Sequence, residues 1–125
     1  MSKIKSIAVL GAGSYGTALA VLLAKNGNQT KLWARNAEKI AQMQQDNANQ
    51  QYLPDVKFPE NLTVTDDIQS ALSDVDAILI SVPSHAFHAC LTLAKPYITE
   101  KSRLIWASKG LDPETGDLLG NVLIQ

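Results

Sequence analysis

Apolar positions along the chain follow two alternating spacings. Five short runs carry the continuous or every-second pattern of strands: Ile4 to Leu10, Thr30 to Ala34, Leu62 to Thr65, Asp76 to Val82 and Leu104 to Ala107. Between them the spacing is helical. Residues 14–26 place Leu19, Val21, Leu22 and Leu23 among alanines, with Gly27 as the expected stop. A polar helix is predicted from Ala37 to Asn49, and Pro54 and Pro59 mark the loop after it. Asp66 is the expected cap of a brief helix holding Ile68, Ala71 and Leu72, and another helix is predicted from Ser84 to Leu93. The run from Asp76 to Val82 is almost unbroken, as in a parallel strand covered on both faces. Strand and helix in alternation predict an α/β, doubly wound, mainly parallel sheet with right-handed crossovers and helices on both faces. Pro113 to Gln125 reads as the start of a further helix with no terminal strand, and the Gln/Asn-rich stretch Gln42 to Gln51 as a solvated helix end.

The junction of the first strand and first helix carries chemistry. Gly11-Ala12-Gly13-Ser14-Tyr15-Gly16 is G-x-G-x-x-G directly behind Ile7-Ala8-Val9-Leu10, the setting that gives this motif its meaning. Gly11 permits the turn, Gly13 lets backbone approach a pyrophosphate, and Gly16 lets the helix pack close to the sheet. The helix N-terminus then turns unpaired amides and its positive dipole end toward the phosphates. The expectation is a Rossmann-type domain spanning residues 1–125.

In such sheets ligands bind beyond the carboxyl ends of the strands. The second strand ends in Trp33-Ala34-Arg35-Asn36 with no carboxylate for ribose hydroxyls; Arg35 instead offers a charged fork suited to a 2′-phosphate and to stacking on adenine. NADP(H) is therefore favoured over NAD(H), with use of both left open. At the fourth strand's end, Pro83 and Phe87 are expected to wall one face of a nicotinamide ring, and Ser84 to cap the next helix. His85 and His88 lie one turn apart with no evident third ligand, so no metal is expected. At the fifth strand's end, Lys109 can bind a substrate phosphate or polarise a carbonyl, and Gly110 lets the chain turn there.

Composition narrows the classes. The 125 residues amount to one domain, with 46% apolar and 18% charged residues, which argues against disorder. A net charge of −1 gives no electrostatic case for nucleic acid or an anionic membrane. No apolar run approaches the roughly 20 residues of a membrane span. The first strand begins almost at Met1, which leaves no room for a signal peptide, so the chain reads as cytoplasmic. The single cysteine, Cys90, lies in an apolar helical stretch and reads as a buried, inert thiol.

Taken together, Gly11 to Ala20, Leu32-Trp33-Ala34-Arg35, Tyr52-Leu53-Pro54, Val82-Pro83-Ser84 and Ser108-Lys109-Gly110-Leu111 resemble the N-terminal domain of bacterial NAD(P)-dependent glycerol-3-phosphate dehydrogenase, in order and spacing across essentially the whole chain. The resemblance implies reversible hydride transfer between dihydroxyacetone phosphate and sn-glycerol 3-phosphate, feeding glycerophospholipid synthesis. It implies that Ser14, Tyr15 and Arg35 contact NADP(H) or NAD(H), and that Lys109 lies near both nicotinamide and substrate. The family's proton-relaying lysine and most substrate-phosphate ligands belong to a C-terminal helical domain absent from this chain, so no catalytic residue is expected here. The chain is expected to bind cofactor without appreciable turnover. Its expected partners are the small-molecule substrate and, at full length, a second copy in a homodimer. Two other readings stay open: a stand-alone dinucleotide-sensing module, and the cofactor domain of another Rossmann dehydrogenase.

Overall fold

The computed structural model describes residues 5–54, 56–82, 84–99, 102–106 and 123–124. The strands are β1 (Ser6–Leu10), β2 (Gln29–Trp33), β3 (Leu62–Thr65), β4 (Ala77–Ile80), β5 (Arg103–Trp106) and β6 (Leu123–Ile124). The helices are α1 (Ser14–Lys25), α2 (Ala37–Asp46), α3 (Ile68–Leu72) and α4 (Ser84–Ala94), the last running into a 3-10 turn at Lys95–Tyr97. The strands form one sheet in the order β3-β2-β1-β4-β5-β6, so strand order reverses between β1 and β4. The first five strands are parallel, and β6 is antiparallel to β5.

The apolar runs are unbroken because both sheet faces are buried. Ile7, Val9 and Leu32 face one core with Ala20, Val21 and Ala24 of α1 and Ile40 and Met43 of α2. Ala8, Leu10, Ile78 and Ile80 point the other way, into a core with Ala71 and Leu72 of α3 and Cys90 and Ala94 of α4. Period-two alternation thus feeds two cores at once. Lys31 is the charged member of β2, and its ammonium reaches the Ser70 and Ser73 carbonyls at 3.0 and 3.3 Å, where α3 ends.

Several boundaries differ from the pattern's expectation. The second helix stops at Asp46 rather than Asn49, because Asn47 takes the left-handed conformation with φ 54°. Asp67, not Asp66, caps α3, its carboxylate accepting from the Gln69 N–H at 3.1 Å. The fourth strand is shorter than its apolar run, since its neighbour β1 turns away at Gly11 and the ladder ends with Ser81 N–H on the Leu10 carbonyl at 2.8 Å. The expected start of a helix at Pro113 to Gln125 is corrected at Leu123–Ile124, which pairs with Trp106 and Ile105 as an edge strand. The open edge of β5 supplies the unpaired backbone groups for that pairing. Residues 107–122 lie outside the described residues. Gly27 ends α1 as expected, with φ +98°.

Asn61 secures the far end of α1. Its Nδ2 donates to the Ala24 carbonyl at 2.7 Å and the Asn28 carbonyl at 2.8 Å, tying the helix terminus to the entry of β3. Asn61→Ala is expected to cost about 1–3 kcal/mol, because two carbonyls lose a partly buried donor. Urea unfolding reads this as a lowered midpoint with unchanged slope. An unmoved midpoint would show the tie to be dispensable.

Candidate functional site

The turn after β1 is built where main chain meets main chain. Gly11 sits at φ +117°, and a Cβ there would stand 2.6 Å from the Ser81 carbonyl oxygen and 2.9 Å from Val82 Cγ1. A Cβ on Gly16 would run into the Gly11 carbonyl oxygen and lie 3.1 Å from Ser81 Oγ. Gly16 therefore makes room first for the loop's own turn, and helix-to-sheet packing follows from that. Gly13 is different: a Cβ there would have nothing within 4 Å. Its glycine leaves open space rather than relieving a clash.

Gly13 is also the N-cap of α1, and no side chain caps that end. The first-turn amides of the helix therefore face the open space with the positive end of its dipole behind them. Unpaired donors around a space that a Cβ would occupy fit a phosphodiester anion. This is the local test that a dinucleotide's pyrophosphate must pass, and the residues present pass it.

On either side of the loop the surface hollows into a groove over the strand ends. One end, about 330 Å³, lies between the loop, β2, β4 and α4, with Trp33, Ser81, Val82, Ala86 and Cys90 in its walls. The other, about 310 Å³, lies toward α2 and the segment after it. Ala12, Gly13, Ala34, Arg35 and Tyr52 line both, so the two hollows are halves of one groove. Arg35 is exposed at the junction, and Lys39 holds its ammonium 5.5 Å from the centre of the Tyr52 ring. Trp33 Nε1 and Ser81 Oγ are buried beside the first hollow with no hydrogen-bond partner among the described residues.

Of the expected cofactor residues, the structure gathers Gly11, Gly13, Tyr15, Gly16 and Arg35 around this groove. Ser14 opens α1, but its side chain lies outside the described residues, as do those of Ser84 and His85. Pro83 and Lys109 lie wholly outside them. Phe87 is half-buried and packs against the core between β4 and α4; among the described residues, the α4 side chains at the groove are Ala86 and Cys90. Burial raises the Tyr15 hydroxyl's pKa. Burial also pushes the Cys90 thiol up to about 11, with the Arg35 guanidinium pulling weakly the other way, so the inert reading of this cysteine stands. Among the described residues no three His, Cys, Asp or Glu side chains come together as a metal site.

Sequence reasoning missed Asn49, which is buried rather than part of a solvated helix end. The signal was present: the apolar spacing of α2 stops at Met43, and Asn47-Ala48-Asn49 has the side chains of a turn.

The glycines separate two consequences of substitution. Gly16→Ala is expected to lower stability by about 1–3 kcal/mol through overpacking against the Gly11 carbonyl. Gly13→Ala is expected to cost about 1 kcal/mol or less, the preference for glycine over alanine at an N-cap, since the site is open and its φ of −76° suits any residue. The same alanine fills the anion space, so titration calorimetry should show at least tenfold weaker dinucleotide binding. Unchanged binding by folded Gly13→Ala would remove the pyrophosphate from this loop.

The family described as NAD-dependent glycerol-3-phosphate dehydrogenase N-terminus matches residues 6–125. Glycerol-3-phosphate dehydrogenase (NAD(P)+) of Colwellia psychrerythraea is 53% identical over 122 residues, 98% of this chain and 36% of that protein. The protein of the same description from Pseudoalteromonas translucida is 48% identical over 120 residues, 96% of this chain and 36% of its own length. The chain thus spans about a third of the length of these curated relatives. Among solved structures, glycerol-3-phosphate dehydrogenase from Coxiella burnetii superposes with a TM-score of 0.81 at 44% identity, covering 89% of this chain and 34% of that one. A ketopantoate reductase from Ralstonia eutropha shares the fold at 17% identity, with a TM-score of 0.67, 84% of this chain and 34% of that one.

Proposed function

The chain belongs to the NAD-dependent glycerol-3-phosphate dehydrogenase family as its N-terminal, cofactor-binding domain, and we propose that it serves reversible hydride transfer between dihydroxyacetone phosphate and sn-glycerol 3-phosphate for glycerophospholipid synthesis. The observation that carries the reading is the anion cradle at Gly13, set at the strand-order reversal and flanked by a groove on both sides. The bound dinucleotide supplies the hydride. The chain's own residues seat and orient it. Gly13 and the first-turn amides of α1 receive the pyrophosphate, Ser14 and Tyr15 contact the cofactor, and Arg35 at the end of β2 meets the adenosine ribose and any 2′-phosphate.

Lys109 follows β5 in the sequence and, by the resemblance, approaches both nicotinamide and substrate. Pro83 keeps its assigned place beside the nicotinamide, whereas Phe87 packs into the core between β4 and α4. A proton donor for the carbonyl oxygen and the main substrate-phosphate ligands are assigned to a C-terminal domain beyond this chain. Carbonyl reduction needs both a donor and a fixed substrate, and a cofactor-binding domain alone supplies neither. The reading carries a cytoplasmic location, small-molecule partners without nucleic acid and, for the full-length enzyme, a homodimer. No helix among the described residues is long and apolar enough to cross a membrane.

Parallel calorimetric titrations with NADPH and NADH test the cofactor assignment. Both are expected to bind, NADPH more tightly, and Arg35→Asp is expected to weaken NADPH at least tenfold more than NADH. Equal losses would remove Arg35 from the 2′-phosphate. With dihydroxyacetone phosphate and NADPH, the chain alone is expected to show negligible nucleotide oxidation. Substantial oxidation would place the proton donor within these residues.

A further inference from the structure

Asn49 lies three residues past α2, in the segment returning to β3, and is only 5% exposed. Every polar atom of its side chain is engaged. Nδ2 donates to the Ala12 carbonyl at 3.0 Å and to Thr17 Oγ1 at 2.8 Å, while Oδ1 accepts from the Tyr52 N–H at 3.4 Å. Both amide hydrogens have acceptors, which fixes the orientation of the group. Its main-chain carbonyl accepts from the Leu53 N–H at 2.7 Å. One buried side chain therefore joins the glycine loop, α1 and the segment that carries Tyr52.

The Ala12 contact acts on the neighbouring atom. In a trans peptide the carbonyl and the following N–H point in opposite directions, and no described peptide is cis. Holding the Ala12 oxygen on Asn49 therefore turns the Gly13 N–H away from Asn49. A Cβ on Gly13 would meet nothing within 4 Å, and no hydrogen bond among the described residues uses that N–H. The peptide plane of a glycine loop is otherwise free to rotate, because Gly13 accepts both signs of φ. A donor that is already aimed loses less on binding than one that must first be turned.

We propose that Asn49 is the positioning residue for the pyrophosphate subsite: its grip on the Ala12 carbonyl aims the Gly13 N–H at the phosphate, and its grip on Tyr52 holds the groove wall in register with that donor. This rests on the dinucleotide reading above. The asparagine amide is required because the Ala12 oxygen needs a donor and the Tyr52 N–H needs an acceptor. Aspartate supplies only the second. Thr17 is Asn49's other partner, and its hydroxyl can reverse direction to donate to a carboxylate, so Asn49→Asp keeps the other two contacts while removing the Ala12 donor and adding a negative charge.

The test follows the Gly13 amide and the affinity together. In ¹⁵N-labelled chain, addition of NADH is expected to move the Gly13 amide proton strongly downfield. In Asn49→Asp that shift is expected to collapse, with NADH and NADPH both weakened about tenfold or more and by equal factors, since both carry the same pyrophosphate. Thr17→Val keeps the Ala12 contact, so it should lower the melting temperature yet change affinity less than twofold. If Thr17→Val weakens binding as much as Asn49→Asp, Asn49 acts through stability alone and the proposal fails. Asn49→Ala replaces Asn49→Asp if the latter does not fold. If neither folds, the unaltered chain decides: a Gly13 amide that does not shift on NADH binding overturns the proposal. Tight NADH binding with no such shift overturns this inference and leaves the dinucleotide reading standing. Absence of NADH and NADPH binding to the unaltered chain overturns both.

Discussion

Main chain presses on main chain at the carboxyl ends of β1 and β4, and the rest of the site follows from that contact. The Gly11 position stands so near the Ser81 carbonyl that no side chain fits between them, and Gly16 is closed against the Gly11 carbonyl in turn. Because β1 lies between β2 and β4, it cannot move away without breaking both ladders. The chain can leave β1 only through a residue at positive φ, and α1 must begin within a few residues. The helix N-terminus is thereby fixed over the strand ends, with its free amides outward. An anion site results from packing rather than from any charged side chain in the loop.

That origin explains why the three glycines do different things. Gly11 and Gly16 are required by the folded chain itself, whatever it binds. Gly13 relieves no clash in the protein, since a Cβ there would meet nothing within 4 Å. A residue that the fold does not need, held at the point where helix amides converge, is a sign that something else occupies the space. The same division runs through the groove. Its floor belongs to the two cores, whereas Arg35, Lys39 and Tyr52 line its rim on the segments that follow β2. Asn49 connects those two levels.

The fold was legible because strand burial on both faces writes itself as apolar runs, and each helix carries apolar positions toward one face. Boundaries were less legible where one residue's backbone decided them. Asn47 ends α2 by taking a left-handed conformation, a choice available to asparagine but not demanded by it. Asp66 and Asp67 are equally good caps on paper, and only the turn geometry selects Asp67. The pairing of Leu123 and Ile124 with β5 joins residues about twenty apart, a range over which local pattern carries no information. Around the groove, the placement of the glycines and Arg35 was legible because it follows from neighbours in sequence. Asn49 was not, because its role is defined by Ala12 and Thr17, more than thirty residues away.

The end of β2 bears on how sharply two cofactors differing by one phosphate could be distinguished. Discrimination is a difference of affinities, and it is greatest when attraction to one ligand is joined by repulsion of the other. A carboxylate at this position would accept from ribose hydroxyls and repel a 2′-phosphate. Residues 34–36 are Ala, Arg and Asn, so neither effect is available there. Arg35 can attract a phosphate, but it is exposed and therefore screened by water and salt. Among residues 34–36, nothing would penalise a bare ribose. An exposed charge-assisted contact of this kind amounts to about 1 kcal/mol, or a factor of roughly five to ten. On these terms the strand end can favour the phosphorylated nucleotide, but it lacks the repulsive element needed to exclude the other.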